Sequence, residues 1–401
     1  MKLKRIFVAA GAVFALGLLA ISMEGSSPQK GTGTDYEALA QKLVNQCTSI
    51  REGDQVLIYG GVRDVELLEN IAIHVRKLGA FPLVTFGSDR MTRRMYTEVP
   101  TKYDSQTPEF NLKLANLITA QIGVDFGETP GSLADIPPER LAAVGKAFQP
   151  VNDLMMKRNV RRVFLGNGLY PTTELAKQFG ISQPELSKIF WDGVNADYAK
   201  LQATGEWVKA ALAQGKEVHL TNPNGTDLKM RIEGRPVFVS DGVISADDMK
   251  RGGPACQVWL PAGEVYLAPV AGTAEGKIVV DRQFFQGKEI QGLTLTFKAG
   301  QLTAMTAKSG IEPLTAAYEA SGAGRESFAF IDIGINPNIR LAPGSRMVCW
   351  MSAGMIIVGI GNNTWTGGEN NVSFGLENFL PESTLKVDGK VLVVNGTLTE
   401  S

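Results

Sequence analysis

Histidine is scarce in this chain. Its 401 residues include only two, His74 and His219, which lie far apart in the sequence. A metal site or a Ser–His–Asp triad that depends on histidine must therefore use one of these two residues. We expect both to be structural, His74 on a predicted helix and His219 on a predicted strand.

Other absences exclude further classes of protein. Only three cysteines are present, too few for a disulfide-dense scaffold, and the net charge of −1 gives no strongly basic footprint for nucleic acid. No G-x-S-x-G elbow occurs, and the Gly60-Gly61 turn lacks the G-x-G-x-x-G spacing of dinucleotide-binding proteins. With 44% hydrophobic and 20% charged residues, the chain is globular and long enough for roughly two or three domains.

The first residues are typical of a targeting segment. Lys2, Lys4 and Arg5 precede an uncharged, mostly apolar run over residues 6–23. This is the pattern of an export signal; Ala20 and Ser22 are small enough to allow cleavage after Ser22, and an uncleaved membrane anchor is the alternative. Residues 24–34 are rich in Gly, Ser and Thr and predict a flexible linker. We expect an exported protein, periplasmic or extracellular, or one anchored to the membrane by residues 6–23.

The next part of the chain alternates between helical and strand periodicity. Strands are predicted at 55–59, 82–86, 121–126 and 162–165, and helices at 36–47, 65–78, 110–119, 141–156 and, as one long or two joined helices, 183–214. Alternating strands and helices are typical of a mainly parallel α/β layer. We therefore predict an α/β domain over 35–215.

The character of the sequence changes near residue 216. Short strands are predicted at 218–221, 228–233, 237–240, 277–281, 292–298 and 301–307, with turn signals between them. A final hairpin over 384–395 is predicted to turn at Asp388-Gly389. We therefore predict a mostly β domain over 216–401.

Several segments follow one another in a specific order. They are LVNQCTSIREGDQVLIYGG, KLGAFPLVTF, LAQGKEVHLTNPNGTDLKMRIEGRPVFVSDG, LPAGEVYLAPVAGTAEGKIVVD, IDIGINPNIR and GMIIVGIGNNTWTGGENNVSFGLENFLPESTLKVDG. In this order they resemble the M29 family of metallo-aminopeptidases over about 35–395. The resemblance implies an α/β N-terminal domain, a β-rich C-terminal domain and a homodimer. It also implies two divalent cations, Zn, Co or Mn, held in active members by two Glu, two His and one Asp.

The chain departs from this family at most of the ligand positions. The first Glu of the family pattern is present as Glu264, but the second falls on Phe330 and the first His on Ile357. The H-x-D pair falls on Gly375 and Glu377. One ligand is therefore kept, one is exchanged from Asp to Glu, and three are lost.

This loss weakens any metal site. Phe and Ile offer no lone pair, Gly has no side chain, and a two-metal site needs roughly four to six protein ligands. Asp332 shares a strand face with Phe330 and is a better substitute for the lost Glu than Glu326, which would need a bulge. We expect no metal, or a weakly bound divalent metal at Glu264, Glu377 and Asp332.

Trp365 and Glu369 lie in the Gly/Asn-rich segment NNTWTGGENN and are candidate binding residues; the alternative for Trp365 is a packed loop anchor. Two functions follow from the sequence. The first is a non-catalytic homologue that keeps the cleft or dimer surface for a peptide or small ligand. The second is an active metal-dependent aminopeptidase with a rebuilt carboxylate site. Neither involves nucleic acid, and a membrane would be contacted only through the N-terminal segment.

Overall fold

The computed structural model of the protein describes residues 35–399. The first part of this range alternates helices and strands, as the sequence predicts. Its strands are β1 (Gln55–Gly61), β2 (Phe81–Gly87), β3 (Ala120–Val124) and β4 (Arg161–Leu165), and its helices are α1 (Tyr36–Gln41), α2 (Val65–Lys77), α3 (Asp89–Glu98), α4 (Glu109–Leu117), α5 (Pro138–Lys157), α6 (Thr173–Phe179), α7 (Gln183–Val194) and α8 (Tyr198–Gln214). A π-helical turn, Lys42–Cys47, continues α1.

The second part of the chain is mostly β-structure. Its strands are β5 (Glu217–Asn222), β6 (Thr226–Arg231), β7 (Phe238–Ser240), β8 (Gln257–Leu260), β9 (Glu264–Leu267), β10 (Glu275–Phe285), β11 (Lys288–Lys298), β12 (Gln301–Thr306), β13 (Phe328–Gly334), β14 (Ile356–Gly361), β15 (Gly375–Leu380), β16 (Thr384–Val387), β17 (Lys390–Val394) and β18 (Thr397–Leu398). Two short helices, α9 (Ala246–Arg251) and α10 (Glu312–Ala320), interrupt them.

The first sheet is parallel throughout. Its five strands follow the order β2-β1-β3-β4-β8. Alternate residues of β1, Val56 and Ile58, are buried in the core together with Leu68 and Ile71 of α2. This layer confirms the predicted parallel α/β arrangement and brings the carboxyl ends of β4 and β8 to the same edge.

Two helices occupy the region predicted as one long or two joined helices. Asp197 separates them, because its side chain accepts hydrogen bonds from the backbone N–H groups of Ala199 and Lys200 and so caps the start of α8. Ser182 caps α7 in the same way, with Glu185 as the donor.

The second part is mostly β, as predicted, and most of its strands pair in antiparallel fashion. An eight-stranded sheet has the order β12-β11-β10-β6-β5-β16-β17-β18. The predicted turn at Asp388-Gly389 joins β16 to β17. The strand predicted at 277–281 is longer than expected, since β10 and β11 pair along a hairpin that turns at Gln286 and Gly287.

A five-stranded antiparallel sheet, β15-β14-β13-β9-β7, positions the candidate site. One of its faces belongs to the main hydrophobic core and includes Val265, Ile331, Ile333, Ile356 and Val358. Because side chains alternate along a strand, the intervening residues project to the opposite face. That opposite face carries the candidate ligands.

No helix within residues 35–399 is long and apolar enough to cross a membrane. The predicted export or anchor segment at 6–23 and the linker at 24–34 lie outside the described residues and stay predictions. The predicted domain boundary after residue 215 also stays a prediction; β8, from beyond that boundary, completes the first sheet.

Candidate functional site

A cavity of about 280 Å³ lies beside the five-stranded antiparallel sheet. Its lining consists of Asn167, Trp259, Glu264, Asp332, Trp350, Trp365 and Glu377. The structure therefore brings together all three carboxylates that the sequence suggests as metal ligands, and Trp365 with them. The fold also places the cavity near the carboxyl ends of β4 and β8, which is where ligands bind in open parallel α/β sheets.

Glu264 begins β9 and is 3% exposed. Asn167, which follows β4, donates from Nδ2 to Glu264 Oε1 at 3.0 Å. The preceding Gly263 has φ +128°, and a side chain there would collide with Asn336. Burial raises the pKa of Glu264, and the hydrogen bond from Asn167 opposes this rise.

Asp332 lies on β13, next to β9. Glu264 is paired with Gly334, two residues after Asp332, so the two carboxylates are diagonal neighbours on one face of the sheet. Asp332 is 1% exposed, and within the described part of the chain neither of its carboxylate oxygens has a hydrogen-bond partner. Burial raises the pKa of Asp332 well above its usual value, and the charge of Glu264 raises it further.

The proximity of these two buried carboxyl groups has an electrostatic consequence. Like charges in a low-dielectric environment disfavour each other, so such a pair titrates as a unit and does not readily ionise twice. Asp332 and Glu264 therefore carry two full negative charges only if a cation lies beside them.

Glu377 supplies the third carboxylate. It lies on β15, directly opposite Gly359 of β14. Its side chain is less enclosed than those of Glu264 and Asp332, and burial raises its pKa as well. The three carboxylates therefore come from three different strands of one sheet.

Three indole rings form the apolar part of the lining. The ring centroid of Trp365 lies 5.5 Å from that of Trp259 and 6.2 Å from that of Trp350, with interplanar angles of 78° and 80°. Both neighbouring rings are thus nearly perpendicular to the ring of Trp365. The three rings line different sides of the cavity and do not stack face to face. Trp365 packs on Trp259 and Trp350, as expected of a loop anchor, and it also lines the cavity; its role in binding stays a prediction.

Two acidic candidates are not brought to the cavity. Glu326 precedes β13, and its carboxylate accepts a hydrogen bond from the backbone of Gly324. Glu369 is exposed and does not contribute to the lining. Trp365 and Glu369, only four residues apart, therefore have different surroundings.

Both histidines lie elsewhere. His74 contacts Glu37 at 2.9 Å, and His219 contacts Asp227 at 2.8 Å. Neither ring lines the cavity. The cavity therefore has no imidazole ligand among the residues that the structure describes.

Comparison with models of known protein families shows to which family this chain is related. The model of the thermophilic metalloprotease (M29) family matches residues 33–325. The chain belongs to the M29 family. The match includes Glu264 and ends before Asp332 and Glu377, so the part of the chain that carries the altered ligand positions lies beyond it.

Relatives of known sequence and structure agree with this assignment. Aminopeptidase PepS of Streptococcus thermophilus is 23% identical over 299 residues, which are 69% of this chain and 71% of that protein. The structure of wild-type AmpT from Thermus thermophilus has a TM-score of 0.69 at 18% identity and covers 91% of this chain and 99% of its own. This likeness shows the fold, α/β followed by mostly β, as predicted.

A second solved structure has different chemistry. The 2,5-dihydroxypyridine dioxygenase of Pseudomonas putida KT2440 has a TM-score of 0.59 at 14% identity and covers 92% of this chain and 99% of its own. A fold shared by an M29 protein and a dioxygenase does not by itself decide the reaction. The function must therefore be argued from the cavity.

All five positions at which the M29 resemblance expects metal ligands lie on one face of the five-stranded sheet. Strand register places Glu264, Phe330, Ile357, Gly375 and Glu377 on this face. These five positions thus share one face, although only Glu264 and Glu377 carry a side chain that could bind a metal. Phe330 and Ile357 are buried in an apolar cluster with Met355, and Gly375 offers no side-chain donor.

The donor set does not fit a two-metal centre. Within residues 35–399, no three His, Cys, Asp or Glu side chains are arranged to hold one metal ion. Glu264 already accepts a hydrogen bond from Asn167. Asp332 is the buried carboxylate whose two oxygens both lack a hydrogen-bond partner among the described residues. Two cations need roughly four to six ligands, and the cavity offers three carboxylates and one amide.

Three lining residues are absent from the sequence-based candidates. Asn167, Trp259 and Trp350 come from separate elements, and their convergence depends on the fold. The sequence does contain a signal for Asn167, because Gly166-Asn167-Gly168 directly follows a predicted strand. Loops at the carboxyl ends of parallel strands commonly carry functional residues. Trp259 lies inside β8, and no local pattern distinguishes it from a core residue.

Proposed function

We propose that this M29 protein binds a small ligand in the carboxylate–tryptophan cavity and does not hydrolyse peptides through a two-metal centre. The observation that carries the proposal is the packing of Phe330. Its ring centroid lies 4.8 Å from that of Trp365 and 5.9 Å from that of Trp350. An apolar ring thus occupies the position where the family pattern requires a carboxylate ligand.

Ile357 supports the same proposal. It is fully buried in the cluster that contains Phe330, at the position where the family pattern requires a histidine. Replacing two ligands by well-packed apolar side chains removes donors and also fills space. The cavity that remains is open beside Glu264, Asp332 and Glu377.

The second candidate function is a metal-dependent aminopeptidase with a rebuilt site. One observation favours it: Asp332, which is not a family ligand position, lines the cavity with both oxygens unpartnered among the described residues. In this alternative Glu264, Asp332 and Glu377 would hold a divalent cation. The catalytic water would then be activated by the bound cation.

Metal retention and peptide hydrolysis separate the two candidates. Purified protein is equilibrated with Zn²⁺, Co²⁺ and Mn²⁺, desalted and submitted to elemental analysis, and dipeptide hydrolysis is measured in the same samples. The proposal predicts near-zero retention of all three metals and no hydrolysis above the blank. Retention of one or two ions per chain with hydrolysis, both lost in Asp332→Asn, would establish the rebuilt enzyme instead.

We also propose that the protein is exported or anchored through residues 6–23. The basic start at Lys2, Lys4 and Arg5 and the uncharged run after it support this. Mass spectrometry of the native N-terminus tests it: a chain that begins at Met23 indicates a cleaved signal. An intact N-terminus in the membrane fraction indicates an anchor, and an intact soluble chain contradicts both.

A homodimer completes the proposal and rests on the family relationship. Light scattering coupled to size-exclusion chromatography measures the mass of the protein in solution. We expect twice the mass of one chain, and a monomeric mass across micromolar concentrations would contradict the dimer.

A further inference from the structure

The cavity has an unbalanced set of polar groups. Three carboxylates and one amide line it, and no lysine or arginine within residues 35–399 does. An anionic ligand, or a ligand with its own carboxylate close to the binding point, would therefore be repelled by each carboxyl group that is ionised. A positively charged ligand would stabilise the ionised forms of these groups, which burial and mutual repulsion disfavour in its absence.

Asp332 indicates what the ligand must donate. The side chain is almost completely buried, and both of its oxygens lack a hydrogen-bond partner within residues 35–399. A buried acceptor without a hydrogen-bond donor is destabilising, so a ligand whose N–H groups donate to Asp332 would remove this cost and bind more tightly. A quaternary ammonium ion has no N–H group and leaves this requirement unmet.

The tryptophans indicate the rest of the ligand. Three of the seven lining residues are tryptophans, and Trp259 and Trp350 each stand nearly perpendicular to Trp365. Indole faces attract organic cations, and the attraction is strongest where water is excluded. The same faces accept alkyl groups. The cavity volume of about 280 Å³ is at the lower end for ligand pockets, which restricts the ligand to a small molecule.

We propose that the cavity binds a small protonated alkylamine, whose N–H groups donate to Asp332 and Glu264 and whose alkyl part lies against Trp259, Trp350 and Trp365. This inference rests on the proposed function, in which the cavity binds a ligand without hydrolysis. On this proposal the cavity prefers an amine to an amino acid, because the α-carboxylate of an amino acid would lie beside three protein carboxylates.

Four probes test this ligand class by isothermal titration calorimetry at neutral pH. Butylammonium has the cation, the N–H donors and the alkyl chain. 1-Butanol removes the charge, norvaline adds a carboxylate to butylamine, and butyltrimethylammonium keeps the charge and the butyl chain but has no N–H donor. We expect butylammonium to bind at least about tenfold more tightly than each of the other three, since each lacks or opposes one favourable contribution. Tryptophan fluorescence gives an independent readout of the same titration.

Variants locate the binding. Asp332→Asn keeps the shape of the side chain and removes its charge, and we expect about tenfold weaker butylammonium binding. Trp350→Leu removes one indole face, and we expect a loss of several-fold to about tenfold. Glu66→Gln, an exposed carboxylate of α2, is the matched control and should leave the affinity unchanged. Thermal denaturation of each variant confirms that it is folded.

The possible results separate this inference from the proposed function. Equal affinity for butylammonium and 1-butanol, or tighter binding of norvaline, overturns the amine proposal and leaves a non-hydrolytic ligand cavity intact. If Asp332→Asn and Trp350→Leu do not change the affinity for butylammonium, the ligand binds elsewhere. This result also overturns the amine proposal. Metal-dependent hydrolysis, measured in the separate assay above, contradicts the proposed function itself.

Discussion

The phenyl ring of Phe330 covers the backbone of Gly359. The two residues are paired across β13 and β14, and a Cβ atom added to Gly359 would overlap the ring. Glycine at position 359 therefore makes room for phenylalanine at position 330. On its other side Gly359 is paired with Glu377, so the small residue also adjoins one of the cavity carboxylates. The apolar residue at position 330 is thus matched to the packing of the sheet.

Gly359→Ala should destabilise the protein by about 1–3 kcal/mol, because the added methyl group forces the Phe330 ring out of its position. Urea denaturation followed by circular dichroism measures the change. Gly322→Ala is the control, since Gly322 is exposed and nothing lies within 4 Å of its Cβ position. Equal stability of the two variants would show that the ring is not held tightly over the strand.

Phe330→Glu should be far less stable than Phe330→Leu. Leucine keeps an apolar contact with the cluster and should cost about 1–2 kcal/mol. Glutamate restores the residue of the family pattern but buries an unpaired carboxyl group beside Asp332, and we expect a cost of about 3–5 kcal/mol. Urea midpoints with and without Mn²⁺ check this. If Mn²⁺ returns the Glu variant to the stability of the Leu variant, position 330 still supports a metal ligand.

The fold could largely be predicted from the sequence, because its signals are local. Helical spacing in α2 and the short apolar strand β1 identify the parallel layer, and the Asp388-Gly389 turn identifies a hairpin. The helix α3 was not predicted. Met91 and Met95 lie one helical turn apart, but both are exposed and the other residues of this short helix are mostly charged or polar, so two apolar side chains are too few to predict a helix.

The site could be predicted only in part. The resemblance to the M29 family located Glu264 and Glu377, and strand parity located Asp332. Trp259 and Trp350 could not be found in this way, because their approach to Trp365 depends on how β8 and two loops meet in three dimensions. Long-range convergence of this kind leaves no periodic trace in a single sequence.

Breaking a buried ion pair should destabilise the protein more than breaking an exposed one. Arg161 and Asp54 are separated by 2.5 Å with side chains only 6% and 12% exposed, and Arg161 also donates to the backbone of Ser49. Asp54→Ala leaves this buried guanidinium without its carboxylate and should cost about 3–5 kcal/mol. Glu98→Ala breaks the exposed pair with Arg94, which water and salt screen, and should change the stability far less than Asp54→Ala does. Urea denaturation measures the free energy of unfolding of both variants. Equal losses in the two variants would contradict the argument that burial makes the Arg161–Asp54 pair more important.

The pH dependence of stability should contain a contribution from Asp241. Burial raises the pKa of this carboxyl group to about 6 from 3.8, and the nearby charge of Asp248 adds to the rise. The folded protein therefore binds the proton more tightly than the unfolded chain does. This contribution to stability is complete below about pH 4 and is lost as the pH rises through about 6.

Asp241→Asn removes this pH dependence and keeps the oxygen that accepts a hydrogen bond from the backbone of Val243. At pH 7.5 the variant should be more stable than the parent by about 1–3 kcal/mol, because a shift of one pKa unit corresponds to about 1.4 kcal/mol. At pH 4 the difference should vanish. Urea denaturation of both proteins between pH 4 and 8, with Glu66→Gln as the exposed control, measures it. A difference that is constant across this range would show that Asp241 ionises equally in the folded and unfolded chains.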